Sequence, residues 1–209
     1  MDLPGALVAN HASWLDIVVL TRAARVFFVS KAEVAGWPVI GAIARAIGTV
    51  FIERRAVEAR RQQEVLRARL LRGDRMCIFP EGTSTDGRRV LRFKTALFGV
   101  FFEPDLHETL WVQPVSMIYR APEGLPKAAY GWWGKMDFGA HLAAILAHST
   151  GGSVEVVFHP PLKASDFADR KALADRAGAL VREGFEARAG TDGSAGIGGG
   201  RGRPAPGRA

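Results

Sequence analysis

With 209 residues, 48% of them hydrophobic and 23% charged, the chain has the composition of one globular domain; it is too short for two full domains and too apolar for a disordered segment. Its one cysteine, Cys77, excludes an internal disulfide framework and a cysteine-based metal site, and fits a reducing, cytosol-facing compartment. A net charge of +7 points toward anionic partners such as nucleic acid, acidic lipid headgroups or phosphorylated substrates.

Residues 1–10 carry neither a basic segment nor a long apolar run, so no secretory signal is read there. Ala6–Asn10 reads as a strand end, Ser13–Ala24 as a helix and Val26–Ser30 as a strand. The apolar stretch Val34–Ile52 holds Pro38, Arg45 and three glycines and runs into Glu53-Arg54-Arg55. A bilayer span wants about 20 nearly uncharged residues. The stretch is therefore read as a helix over Pro38–Ile47 followed by a strand over Thr49–Glu53. Val57–Arg72 is a long helix stopped by Gly73. Met76–Phe79 is a buried strand entering a Pro-Glu-Gly turn. Phe93–Phe102 reads as a helix, Trp111–Tyr119 as a strand, Met136–His148 as a helix, Val154–Phe158 as a strand and Asp166–Ala189 as a final helix. Strands separated by helices specify an α/β fold, a mixed, largely parallel sheet flanked by helices, over residues 1–189. Residues 190–209 are rich in Gly, Pro and Arg, have almost nothing to bury, and read as a disordered tail.

Four short blocks carry chemistry. The first is Asn10-His11-Ala12-Ser13-Trp14-Leu15-Asp16. Its structural reading is a helix cap, with Ser13 at the N-cap and Asp16 three residues on. Its functional reading places His11 in the preceding loop, close enough for the Asp16 carboxylate to fix the imidazole tautomer and leave the other ring nitrogen as a base. The second block, Gly48-Thr49-Val50-Phe51-Ile52-Glu53-Arg54, ends a strand in a guanidinium, a fork suited to phosphate or simply a surface arginine. The third, Phe79-Pro80-Glu81-Gly82-Thr83-Ser84, sets a carboxylate, backbone amides and hydroxyls at a sheet edge, with Lys94 shortly after; it also suits an ordinary turn. The fourth, Val112-Gln113-Pro114-Val115, is mostly core strand, and its proline argues for an edge, an end or a bulge.

In order and spacing, these blocks over residues 10–119 resemble the glycerolipid acyltransferase family, in particular bacterial 1-acylglycerol-3-phosphate (lysophosphatidic acid) acyltransferases. That family carries Asn-His-x-Ser-x-x-Asp, Gly-x-x-Phe-Ile-x-Arg, Phe-Pro-Glu-Gly-Thr-x-Ser and Val-x-Pro-Val in the same sequence, and the resemblance extends over about residues 6–162. It implies a glycerol-3-phosphate acyltransferase-like fold and transfer of a fatty acyl group from acyl-CoA or acyl carrier protein to the sn-2 hydroxyl of 1-acylglycerol 3-phosphate, giving phosphatidic acid. It implies His11 as general base, Asp16 as its orienting partner, Arg54 as the ligand of the acceptor phosphate, and Glu81, Gly82, Thr83 and Ser84 as the acceptor site. Pro114 would shape the acyl-carrier side. It further implies no metal and no cofactor beyond the thioester co-substrate, and a place at the cytoplasmic face of the cell membrane, peripheral or anchored by a part outside this chain. Relatives usually have many residues ahead of the His block, so the resemblance implies an N-terminally incomplete domain.

The third block departs from the family by lacking a cation after Thr83, one possible phosphate ligand. The same chemistry on lyso-ornithine lipid, another lysophospholipid or glycerol 3-phosphate is the alternative, and lyso-ornithine lipid has no acceptor phosphate. An inactive lipid- or nucleic-acid-binding protein is the reading from another class; no nucleic-acid motif supports it, and nucleic acid is not expected as a partner. Backbone amides at the first helix or in the Glu81–Ser84 turn are the candidate oxyanion donors. An acyl groove is sought at Trp37, Val39, Ile40, Ile43 and Ile47, while His107, His141, His148 and His159 read as surface or packing residues.

Overall fold

A computed structural model describes residues 3–36, 41–42, 45, 48–52, 59–148 and 150–190. Most of the expected helix over Pro38–Ile47, Arg54 and nearly all of the tail lie outside the described residues. The strands are β1 (Gly5–Ala9), β2 (Phe27–Lys31), β3 (Val50–Ile52), β4 (Met76–Ile78), β5 (Trp111–Arg120), β6 (Ser153–Phe158) and β7 (Leu162–Lys163). The α-helices are α1 (Leu15–Ala23), α2 (Ala59–Leu71), α3 (Phe138–Ala147) and α4 (Arg170–Ala189).

The sheet runs β3-β2-β4-β1-β5-β6, with β7 also on β5. The pairs from β3 to β5 are parallel, while β6 and β7 are antiparallel to β5. This is the mixed, largely parallel sheet expected from the sequence. β1 and β4 are buried at every position, as strands covered on both faces must be. The period of two sorts β1 between two cores. Ala6 and Val8 join Met76, Ile78, Phe98 and the α4 residues Leu173, Ala177 and Val181. Leu7 and Ala9 join Cys77, Val115, Met117 and Leu20 of α1. No described helix is long and apolar enough to cross a membrane.

Local chemistry sets the helix ends. Gly73, at φ +84°, stops α2: Asp74 N–H reaches back to Arg69 O at 3.1 Å and Gly73 N–H to Leu70 O at 3.0 Å. Asp137 caps α3 by accepting from Ala140 N at 2.8 Å. Asp169 caps α4 by accepting from Lys171 and Ala172 N, each at 2.8 Å, so this helix begins at Arg170 rather than at Asp166, which ends a separate 3-10 turn. The expected helix at Phe93–Phe102 is a 3-10 helix over Ala96–Phe102.

Pro114 is buried in β5, which has a neighbour on each side, so it is neither at an edge nor at a strand end. β6 pairs as far as Val115 and β7 begins opposite Val112, leaving Gln113 and Pro114 opposite the His159–Pro161 break. Pro114 O accepts from His159 N at 3.0 Å. Because a strand residue turns its N and C=O to the same neighbour, the missing N–H of Pro114 faces this break and costs no ladder bond. The proline is accommodated by this interruption between β6 and β7, with β5 itself pairing continuously with β1.

Candidate active site

The site forms where β1 ends against the longer β5. Asn10 continues the ladder with its side chain, accepting from Met117 N at 2.8 Å and donating to Met117 O at 2.9 Å. The backbone is thereby free to turn outward at His11. Three segments hold the turn. Glu81 Oε1 accepts from His11 N at 2.7 Å, Thr85 donates to His11 O through its N–H at 2.9 Å and its hydroxyl at 3.2 Å, and Trp132 N–H donates to Ala12 O at 2.8 Å.

His11 Nδ1 lies 2.7 Å from Asp16 Oδ2. A carboxylate only accepts, so Nδ1 carries the proton and Nε2 is left as the basic nitrogen. The same Oδ2 accepts from Ala12 N at 2.8 Å and Ser13 N at 3.1 Å. Asp16 Oδ1 accepts from the Tyr119 hydroxyl at 2.7 Å. Four donors meet a carboxylate that is 0% exposed, while the imidazole stays 22% exposed. The imidazole also stacks on Phe79, with ring centres 4.2 Å apart and planes 15° apart, which fixes its tilt.

The Ser13 N-cap read from the sequence is not formed. Trp14 occupies the N-cap with no side-chain cap bond, and the Ser13 hydroxyl is buried without a hydrogen bond. Asp16 reaches back instead to the amides of residues 12 and 13, ahead of the helix, and the same oxygen takes the imidazole. The turn before α1 and the histidine orientation are one arrangement.

Glu81 is 2% exposed, and both its oxygens accept from backbone, Oε1 from His11 and Oε2 from Leu91 at 2.8 Å. Burial pushes its carboxyl up to about 7 from 4.5, against the amides of Leu91 and His11, which favour the anion. Glu81 thus acts on the site through the His11 backbone. Gly82, at φ +74°, turns the chain beneath Lys94; a Cβ there would stand 2.7 Å from Lys94 Nζ. Thr83 is exposed and Ser84 half-buried in the same turn. Pro114 pairs with Val8, below the dyad inside the sheet, and is not brought to His11. Among the amides proposed as oxyanion donors, those of Ala12 and Ser13 are taken by Asp16, and that of Gly82 by Phe79 O at 3.1 Å.

Two contributors were missed in the sequence: Thr85 and Tyr119. Tyr119 carried a usable signal, because it follows the Val-x-Pro-Val strand toward the carboxyl end of a parallel sheet, where ligand sites gather. Burial, followed by the Asp16 charge and its hydrogen bond, holds the Tyr119 hydroxyl well above the usual tyrosine range, so it remains a donor. Among the other histidines, His141 is buried and accepts from Trp14 Nε1 at 3.0 Å, and His159 Nε2 lies 2.7 Å from Ser116 Oγ; both are packing roles. Among the described residues no cluster of His, Cys, Asp and Glu has the arrangement of a metal site.

Residues 2–118 match the family model described as Acyltransferase, so the match spans the dyad, the Glu81 turn and most of β5. The chain belongs to the acyltransferase family. This acyltransferase-family chain is 54% identical over 170 residues to the lyso-ornithine lipid O-acyltransferase of Rhodobacter capsulatus, covering 81% of this chain and 62% of that protein. It is 42% identical over 181 residues to the lyso-ornithine lipid O-acyltransferase of Brucella abortus, covering 82% and 67%. The 1-acyl-sn-glycerol-3-phosphate acyltransferase of Neisseria meningitidis is 40% identical over 99 residues, covering 45% and 38%. The crystal structure of the LPA acyltransferase PlsC from Thermotoga maritima shares the fold, with a TM-score of 0.59 and 24% identity over 90% of this chain and 67% of that one. The chain thus spans about three-fifths of the length of its R. capsulatus relative.

Proposed function

We propose that this chain transfers a fatty acyl group from a thioester to the hydroxyl of a lysolipid, and that the acceptor is lyso-ornithine lipid. The transfer chemistry rests on one observation: an imidazole 22% exposed whose Nδ1 is fixed by a fully buried carboxylate, leaving Nε2 as the base. Nε2 takes the proton of the acceptor hydroxyl as its oxygen bonds to the thioester carbonyl carbon. Such a base typically contributes about 10²–10⁴-fold. The tetrahedral oxyanion then collapses, the C–S bond breaks, and the imidazolium gives its proton to the leaving thiolate. An ester and a free thiol result. The reaction needs no nucleophile from the chain, and Ser13, sealed in the interior, is not one.

The acceptor differs from the one first implied by family resemblance. Lyso-ornithine lipid O-acyltransferases are similar along 81% and 82% of this chain, whereas the similarity to the Neisseria enzyme named for 1-acylglycerol 3-phosphate covers 45%. Ser84 stands in the third block without a cation, which suits an acceptor lacking a phosphate. The donor is a thioester of CoA or acyl carrier protein, met at the membrane surface where such a lysolipid resides. The test is a competition assay with lyso-ornithine lipid and 1-acylglycerol 3-phosphate at equal concentration and a labelled acyl thioester. The label is expected in ornithine lipid; label in phosphatidic acid alone would restore the other acceptor.

A further inference from the structure

His141 is a buried, titratable side chain that the transfer mechanism leaves unused, and it touches the turn that carries the dyad. That turn runs from His11 to Asp16. Trp14 stands inside it as the N-cap of α1, with no side-chain cap bond. The anchor of Trp14 comes from α3 instead. Its indole donates through Nε1 to His141 Nδ1 at 3.0 Å, and it meets the His141 and Phe138 rings edge-on, with planes 87° and 71° apart. An indole only donates, so Nδ1 of His141 holds a lone pair and Nε2 carries the proton. His11 has the opposite tautomer, because its Nδ1 donates to Asp16.

α3 is a firm support for this contact. Asp137 caps its first turn by accepting from Ala140 N at 2.8 Å, and His141 N–H bonds to Asp137 O at 3.2 Å. A second bond reaches the same turn from the segment ahead of α3, from Trp132 N–H to Ala12 O at 2.8 Å. Ala12 and Ser13 are the residues whose amides meet Asp16 Oδ2, the oxygen that holds His11. A shift of Trp14 therefore moves the atoms that set the carboxylate against the imidazole.

His141 packs here, but a phenylalanine would fill the same space and offer the same ring edge. The histidine carries a cost that phenylalanine lacks: its Nε2 is sealed from solvent and closes no hydrogen bond. Burial lowers its pKa from 6.5, against the carbonyls of Gly131 and Ala129, which favour the protonated ring. The neutral ring is the one that can accept from Trp14. What the imidazole adds to packing is that acceptor.

We infer that His141 is a positioning residue for acyl transfer: by accepting from Trp14 it fixes the turn between His11 and Asp16, and with it the direction of His11 Nε2. It acts through Trp14 and not on the reacting atoms. This rests on the acyl-transfer reading above. It also gives a part in the reaction to a helix with no Asp, Glu, Lys or Arg between Phe138 and Ala147.

Two substitutions separate acceptor from filler. His141→Asn sets an amide oxygen where Nδ1 stands and loses ring volume, whereas His141→Phe keeps the ring and loses the acceptor. Trp14→Phe removes the donor from the other side. In steady-state kinetics, kcat is expected to fall roughly tenfold with His141→Phe and with Trp14→Phe, KM for each substrate to stay within about twofold, and the double variant to fall no further than either single one. His141→Asn is expected to recover most of the rate. The second readout needs no turnover: proton NMR of the full chain, following the His11 Nδ1–H shared with Asp16 and identified by its loss in His11→Ala. That resonance is expected to hold its position in His141→Asn and to shift or broaden in His141→Phe and Trp14→Phe, with folding checked by thermal melts. A purely structural His141 would lower Tm and leave this proton unmoved. His141→Phe matching or exceeding His141→Asn in kcat, or a His11 proton unmoved in both His141→Phe and Trp14→Phe, overturns the inference while leaving acyl transfer intact. If His141→Phe does not fold, Trp14→Phe, at a half-buried ring across the same bond, decides by the same proton. A proton that moves as expected in a chain whose native form shows no turnover would retain the tie between α3 and the dyad and remove the catalytic reading.

Discussion

Replacing Tyr119 by Phe deletes one oxygen and leaves the ring. The hydroxyl it removes donates to Asp16 Oδ1 at 2.7 Å, whereas the imidazole and two amides all converge on Oδ2. Asp16 is 0% exposed, so water does not replace the lost donor. A hydrogen bond to a charged group contributes about 1.5–3 kcal/mol. If that loss falls on the state in which His11 carries the acceptor's proton, kcat drops by roughly 10- to 100-fold, since each 1.36 kcal/mol is tenfold. KM is expected to stay within about twofold, because Tyr119 reaches the reaction only through Asp16. The folded state loses part of the same bond, which lowers Tm by roughly 2–4 °C per kcal/mol for a domain of this size. Steady-state kinetics with thermal melts of both proteins checks this. Tyr119→Phe with kcat within twofold of the native chain and an unchanged Tm would refute the idea that Tyr119 positions the dyad.

Other outcomes follow from buried groups. Glu81 has a folded pKa of about 7, above its ordinary 4.5, so between those values the fold keeps a proton that the unfolded chain has released. Its neutral form therefore contributes stability that is complete below about pH 4.5 and is lost as pH rises through about 7. Glu81→Gln, neutral throughout, should melt below the native chain at pH 5 because one amide of His11 or Leu91 then faces a donor, and the gap should narrow by pH 8; a constant gap in melts across that range would contradict the assignment. Cys77 is sealed in β4, and burial, with the Asp16 charge second, pushes its thiol far up. Iodoacetamide should modify it only after denaturation, and stoichiometric labelling of the native chain by mass spectrometry would show β4 to be open.

Long apolar runs made the fold legible. Met76–Ile78 and Trp111–Arg120 are strands, legible because buried parallel strands show no alternation for solvent, and Gly73 ends α2 by the positive φ that glycine permits. The dyad was legible from a five-residue spacing that only a loop followed by a helical turn can close. The 3-10 geometry of Ala96–Phe102 was not legible, because its apolar run suits either helix. Neither were the parts fixed by long-range pairing. That Tyr119 completes the shell of Asp16 depends on β5 running past the end of β1. Pro114 read as an edge, end or bulge signal because the β6–β7 break opposite it is a property of the sheet, absent from its own segment.

Single-turnover transfer of a labelled acyl group from its thioester to lyso-ornithine lipid, native chain against His11→Ala, tests the account most directly. His11→Ala is expected to remain folded, bind the acceptor, and transfer roughly 10²–10⁴-fold more slowly. Equal rates from the two proteins would contradict it, because the base at the centre of the site would then take no part in the reaction.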